Sequence, residues 1–367
     1  MEIQVSQLIP GCILTKDVIG KTSYPIINKD TVLTDEHILI LKKFLISKVK
    51  VSQTLADGRK FRAKEIAKKS INEHRVKMKK SQKLSFHESY ENALIKYKEH
   101  FNQWHNNVPI NILEIRKYLL PLIESSINNE IEIYKLHQYV AKEDYIYHHS
   151  ISLSILSSFL ARKMGFEKGE SIQIGLAGFL SNAGMAKIDP NIITKDGSLT
   201  YIEYEEVKKH PSYSYLLVQD VQIITEAVKL AVLQHQERHD GSGYPLGLNG
   251  DKIHQYARII AVCDTYHAMT SERLYQKSQS PFKVMNELKK SQFTKFDSHV
   301  IQIFIQSFMN LSLGETVKLS NGQAGKISFI DMESLTTPLI LLEDEDNGNG
   351  EVISLKDNQS LSIIDFL

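Results

Sequence analysis

Between residues 131 and 310 apolar side chains return at helical spacing. Leu153, Leu156 and Leu160 share one face with His149, and Ile172, Leu176 and Phe179 share another with Leu180 beside them. Thr200 and Glu203 form a T-x-x-E capping box at the start of a helix expected to run to His210, where Pro211 begins the next. This pattern commits the segment to an all-helical bundle. The flanks read differently. Residues 1–55 alternate short β-like runs (Cys12–Leu14, Pro25–Ile27, Lys48–Val51) with turn residues and hold one helix, from Asp35 to about Leu45, capped by Thr34. After Leu313-Gly314 come β-branched runs such as Thr316–Leu319 and Lys326–Phe329, joined by Asn-Gly and similar turns, with Glu343–Gly350 as a hairpin loop. The expected fold is mainly α, with small β-rich modules at both ends. Its parts are an N-terminal domain at 1–55, a charged helical connector at 56–130, the helical domain at 131–311 and a C-terminal β module at 312–367.

Composition narrows the function classes. The 367 residues carry 44 basic against 43 acidic side chains, so the global electrostatic footprint of a DNA binder is missing and any phosphate binding is local. The basic run His74–Lys80 reads as a solvated helix face, with an acidic protein partner as the alternative. Cys12 and Cys263 lie far apart with no CxxC spacing, which suits a reducing cytoplasm. No apolar stretch reaches the roughly 18 residues that span a bilayer, so no membrane segment is expected.

The most specific string is Leu233–Pro245, LQHQERHDGSGYP. Its glycines allow close backbone approach, and Tyr244 with Pro245 offers a flat surface on a rigid turn. Alone, such a turn is an ordinary loop. Preceded by His235 and Glu237-Arg238 and followed by Arg258 six residues before Asp264, it closely resembles the signature of the HD-GYP family, whose histidine-and-aspartate metal centre opens cyclic di-GMP. Hydrolysing a phosphodiester near neutral pH calls for a hydroxide nucleophile and neutralised phosphoryl oxygens, which two cations about 3.5–4 Å apart supply together. Imidazoles suit Fe, Mn, Ni or Zn, and an aspartate bridges the two ions.

The resemblance implies that His149, His210, His235 and Asp264 occupy ligand positions of that centre. It also exposes departures. The family's His-Asp pair is Ser181-Asn182, the lysine after it is Met185, and the second member of the His-His pair is Gln236. Tyr145 stands where some members place a glutamate for a third metal, and the second aspartate of the late Asp-x-x-Asp pattern is His267, which reads as a capping or packing change, with a replacement ligand as the alternative. Asn182 has the shape of aspartate without its charge, and a neutral amide does not hold two divalent cations against their repulsion. The implied centre is therefore a divalent-metal site of reduced occupancy, with Gln236 as a replacement ligand, or no metal site at all. Gly243, Tyr244, Pro245, Arg258, Arg273 and Lys277 match positions near the family's ligand; ordinary surface ion pairs are the alternative for the three cations. Three readings follow. In the first the chain is a signalling protein that binds cyclic di-GMP, a related nucleotide or a protein partner without hydrolysis. In the second it is a working phosphodiesterase with an atypical site, and in the third an interaction module. Self-association through the 56–130 helices follows by analogy with family members.

Overall fold

The structure is a computed structural model that describes residues 1–19, 25–43, 46, 48–61, 85–127, 130–273, 277–342 and 350–367. The basic run His74–Lys80 and most of the loop expected at 343–350 lie outside the described residues. The chain divides into two compact units, Met1–Lys83 and Leu84–Leu367.

In the first unit, β1 (Glu2–Gln4) and β2 (Cys12–Leu14) flank β5 (Lys48–Leu55) in an antiparallel sheet of order β1-β5-β2, while β3 (Val18–Ile19) pairs with β4 (Pro25–Ile27). Alternation puts Val49, Val51 and Leu55 of β5 inward, where they meet Ile3, Leu14, Leu33 and Leu41. Helix α1 (Asp35–Lys43) starts where expected, with the Thr34 hydroxyl accepting from His37 N at 3.3 Å.

The second unit is helical except at its C-terminal end. Helix α2 (Phe86–His105) opens with a Ser85/Glu88 capping box. With α3 (Ile112–Ile127) and the short α4 (Glu130–Tyr134) it buries Tyr90, Tyr97, Trp104, Ile115 and Leu122 in the same cluster as the bundle. The stretch read as a connector thus supplies core. Helix α5 (Tyr145–Lys163) is the central rod, buried without a break from His148 to Ala161, and α6 (Lys168–Ser181) packs along it. A short α7 (Pro190–Ile193) follows, then α8 (Tyr201–Val207), α9 (His210–Val218), α10 (Glu226–Gln234) and α11 (Gln255–Thr270), with α12 (Pro281–Ser291) and α13 (Ser298–Ser312) closing the bundle. The Thr200/Glu203 box caps α8 as expected. That helix stops at Val207 instead of His210: Pro211, four residues on, has no N–H for the Val207 carbonyl, which accepts from the His210 ring at 2.8 Å.

Strands β6 (Thr316–Leu319), β7 (Ala324–Asp331), β8 (Ser334–Leu342), β9 (Val352–Ser354) and β10 (Ile363–Phe366) form an antiparallel sheet of order β10-β6-β7-β8-β9. Phe366 anchors β10 to the bundle, its ring centroid 5.5 Å from Phe282 and 5.9 Å from Phe308. Beside it, Asp365 meets His137 at 2.8 Å. The fold is thus mainly α with a small β module at each end of the chain. Among the described residues no helix is long and apolar enough to cross a membrane.

Candidate functional site

One cavity of about 530 Å³ opens between α5, the turn after α6, α8, α9 and α11. Its wall includes His149, Asn182, His210, Gln236, Asp264 and Tyr244. Local packing fixes the approach of these helices. The turn Ala183–Lys187 presses on the start of α9: Gly184 N donates to Ser214 Oγ at 2.7 Å, and that hydroxyl donates to Ser181 O at 2.7 Å. A Cβ on Gly184 would strike the His210 carbonyl and the Ser214 amide, so only glycine lets Asn182 and His210 come together.

On one side of the pocket His149 Nε2 lies 2.9 Å from Asp264 Oδ1, and the Gln236 amide donates to Asp264 Oδ2 at 3.1 Å. The Gln236 carbonyl accepts from Arg238 at 3.2 Å. A carboxylate only accepts, so His149 Nε2 carries a proton toward it. The other nitrogen, Nδ1, faces His267 Nδ1 at 3.0 Å, and Ser271 Oγ lies 3.2 Å from the same His267 nitrogen. Burial alone would raise the Asp264 carboxyl, but the His149 hydrogen bond and nearby positive charge hold it well below the usual carboxylate range. His267 is fully buried and kept neutral by that burial. It is a packed residue of the last turn of its helix, bonded both to the C-cap Ser271 and to His149.

The other side is built differently. His210 Nδ1 donates to Val207 O and His235 Nδ1 donates to Val232 O, each at 2.8 Å. Both Nε2 atoms are then lone pairs in the neutral rings, and they face each other across 3.1 Å. Burial keeps both rings neutral near pH 7, pushing His210 down to about 4 and His235 to about 3. Two converging lone pairs with back-side carbonyl bonds are the arrangement of imidazoles prepared for a cation.

Ser181 is fully buried and donates to Ala177 O of its own helix at 2.8 Å, so its hydroxyl is turned away from the pocket. Asn182 faces the pocket with Met185 beside it, and its buried Nδ2 has no hydrogen-bond partner. Among the described residues no group of three or more His, Cys, Asp or Glu side chains converges as a metal cluster. These donors do not fit a two-ion centre: one pair is bonded to itself, and the residue between the pairs is a neutral amide.

The glycine-tyrosine-proline loop is held by Glu237, which the sequence places in the signature string without revealing this role. Glu237 is 2% exposed, and its carboxylate accepts from Leu246 N at 2.7 Å and Leu248 N at 2.9 Å. Gly243 lies so close to the Gln236–Arg238 backbone that a Cβ would overlap it. The loop therefore folds tightly over the end of α10 and sends Tyr244 to the pocket, while Pro245 is not on its wall. Arg273 reaches the pocket, its guanidinium 4.4 Å from the Tyr145 ring, which stacks on His149 at 5.2 Å. Arg258 and Lys277 are not brought there. The Arg258 guanidinium donates to Ile253 O and pairs with Asp297 and Asp251, and Lys277 is exposed off the pocket wall. Glu237 and Tyr145 are both visible in the sequence, but the loop contacts of the one and the stacking of the other on His149 are not.

A helical bundle that brings His149, His210 and Asp264 to one pocket, with His235 and His267 buried against them, has the architecture of an HD-type domain. The family profile described as HD domain matches residues 109–300, and the chain belongs to that family. The cyclic di-GMP phosphodiesterase PA4108 of Pseudomonas aeruginosa is 32% identical over 198 residues, covering 54% of this chain and 48% of that protein. The 3'3'-cGAMP-specific phosphodiesterase 1 of Vibrio cholerae is 30% identical over 183 residues, covering 48% of this chain and 42% of that protein. The chain thus spans less than half the length of these two relatives. In fold, it resembles Bd1817, an HDG"Y"P protein of Bdellovibrio bacteriovorus, with a TM-score of 0.51 at 16% identity, covering 84% of this chain and 99% of that one.

Proposed function

We propose that this chain is a cyclic di-GMP signalling protein of the HD-GYP type that binds the nucleotide in the Tyr244 pocket and acts without hydrolysing it. One observation carries the reading: Ser181 is bonded into its own helix, and the neutral Asn182 stands where the resemblance calls for the bridging carboxylate. Without a bridging anion, two cations repel each other at short range and no paired charge meets the phosphoryl oxygens. Binding has support of its own. The cavity is of small-molecule size, and Lys208 lies 5.9 and 5.6 Å from the Tyr204 and Tyr244 ring centroids at its edge. Flat aromatic faces beside cations suit purines and their phosphates.

The facing Nε2 atoms of His210 and His235 favour a second reading, hydrolysis with one ion. The test is to incubate the full chain with cyclic di-GMP and excess Mn²⁺ or Fe²⁺, quantify linear dinucleotide and GMP, and measure binding by calorimetry. Saturable binding without turnover, with activity gained by Ser181→His/Asn182→Asp, is the expected result. Turnover by the native chain that disappears in His235→Ala establishes the second reading. Absence of binding to cyclic di-GMP and to 3'3'-cGAMP removes the nucleotide and leaves an interaction module.

A further inference from the structure

Among the residues on the pocket wall, His149, Asn182, His210 and Asp264 are almost wholly buried and form its floor. His149 and Asp264 are bonded to each other, and His210 is bonded to the Val207 carbonyl. Asn182 differs: it is only 6% exposed, yet its Nδ2 has no hydrogen-bond partner among the described residues. A buried amide donor left unpaired is costly, and a ligand acceptor seated on it removes that cost. We propose that Asn182 is a recognition residue whose amide reads the edge of a purine, so that a nucleotide enters the pocket base first and leaves its phosphates at the mouth. The inference rests on the nucleotide reading of the pocket and specifies which end of the ligand the floor takes.

The distribution of charge sets that direction. A phosphate taken out of water needs a cation beside it. The floor has no lysine or arginine, and Met185 lines the same wall where the resemblance calls for a lysine. The cationic side chains stand further out. Lys142 is half exposed and pairs with Glu272, Arg273 lies over the Tyr145 ring, and Lys208 sits 5.6 Å from the centroid of Tyr244. Phosphates therefore find ammonium and guanidinium groups at the mouth and a neutral amide at the bottom.

A carboxamide carries an acceptor oxygen and a donor nitrogen side by side. Purines present the matching pair on one edge: the exocyclic amino group with a ring nitrogen in adenine, the ring N–H with the adjacent carbonyl in guanine. An ionised aspartate has no donor to give. The same change that removes the bridging carboxylate thus creates the contact. Gly184 fixes its location, because the close approach it allows sets Asn182 against His210. Tyr145 and Tyr244 give the pocket flat faces on which a purine ring packs.

The test is calorimetry of the full chain with guanosine, adenosine, cyclic di-GMP and inorganic pyrophosphate. One of the two nucleosides is expected to bind and to compete with cyclic di-GMP, and which one does so identifies the edge that is read. Pyrophosphate is expected neither to bind nor to compete up to millimolar concentration. Asn182→Ala, and Asn182→Thr, which is closer to asparagine in volume, should each weaken the nucleoside and cyclic di-GMP by tenfold or more, with thermal unfolding to confirm that the variants fold. Added salt should weaken cyclic di-GMP and spare the nucleoside. Cyclic di-GMP binding that neither nucleoside displaces, that pyrophosphate displaces, or that both Asn182 variants retain overturns the proposal and leaves the nucleotide reading standing. Binding of a nucleoside through Asn182 without binding of cyclic di-GMP removes that ligand and keeps the base contact, and silence from every probe removes both. The competition arms use the native chain, so they decide the matter even if neither variant folds.

Discussion

Gln236 donates its amide to Oδ2 of Asp264 across 3.1 Å, bonding the residue after His235 directly to a buried carboxylate. A hydrogen bond to a charged group contributes about 1.5–3 kcal/mol, and most of that is lost if the carboxylate keeps its burial without the donor. Gln236→Ala is therefore expected to lower the unfolding midpoint by several degrees. Gln236→Glu should cost more, since it sets two carboxylates side by side. Differential scanning calorimetry reads both, and a Glu variant as stable as the native chain would mean that this contact does not hold the pocket together.

Glu237 ties the glycine-tyrosine-proline loop to the end of α10 through two backbone amides. In Glu237→Ala both amides lose their acceptor, at about 1–3 kcal/mol for each that stays buried. The loop should loosen before the bundle does, because the bonds are confined to Leu246 and Leu248. The expected result is a loss of cyclic di-GMP affinity of tenfold or more with a small change in unfolding temperature, and Glu237→Gln, which keeps one acceptor, should fall between. Calorimetric binding by the two variants checks the order.

How much of this was legible in sequence depends on the kind of information each residue carries. His149 was separable from His148 because it shares a helical face with Leu153 and Leu156; His148 turns to Tyr90, 3.1 Å from its hydroxyl. The bundle, both β modules and the Thr200/Glu203 cap follow from periodicity and local hydrogen bonding, which are written in short stretches of chain. The role of His267 was not legible, since its partner His149 is 118 residues away and the pairing exists only once α5 and α11 pack together. Arg258 fails in the opposite sense: its spacing to Asp264 is right, but Asp297, which claims its guanidinium, lies 39 residues further on. Motif spacing locates a residue on its own helix and says nothing of competitors arriving from elsewhere.

Gly184 tests how closely the turn after α6 must approach α9. A methyl group there would collide with backbone atoms of His210 and Ser214, which cannot swing aside as a flexible side chain would. Gly184→Ala should destabilise the second unit by about 1–3 kcal/mol through overpacking, and it should move Asn182 away from His210. Chemical denaturation measures the first effect. Loss of cyclic di-GMP affinity in a variant that remains folded measures the second.

The final prediction concerns acid. Burial raises the Asp365 carboxyl, but the hydrogen bond from His137, its charge and the Phe366 amide together hold the group below its ordinary value of 3.8. The carboxyl is thus more acidic in the folded chain than in the unfolded one. Its contribution is fully present above the unfolded value and is lost as pH falls through the lower, folded value, because the unfolded state then binds the proton more readily. Asp365→Asn should therefore lower the unfolding temperature above about pH 4, and the difference should shrink below that. The loss should appear first where β10 meets the segment Leu136–Tyr139, since Gln138 also donates there, to Phe366 O at 2.9 Å. Hydrogen exchange of the β10 amides across that pH range gives the local readout. A gap between native and variant that persists unchanged to pH 2 would mean that the Asp365 charge contributes nothing to holding the C-terminal strand.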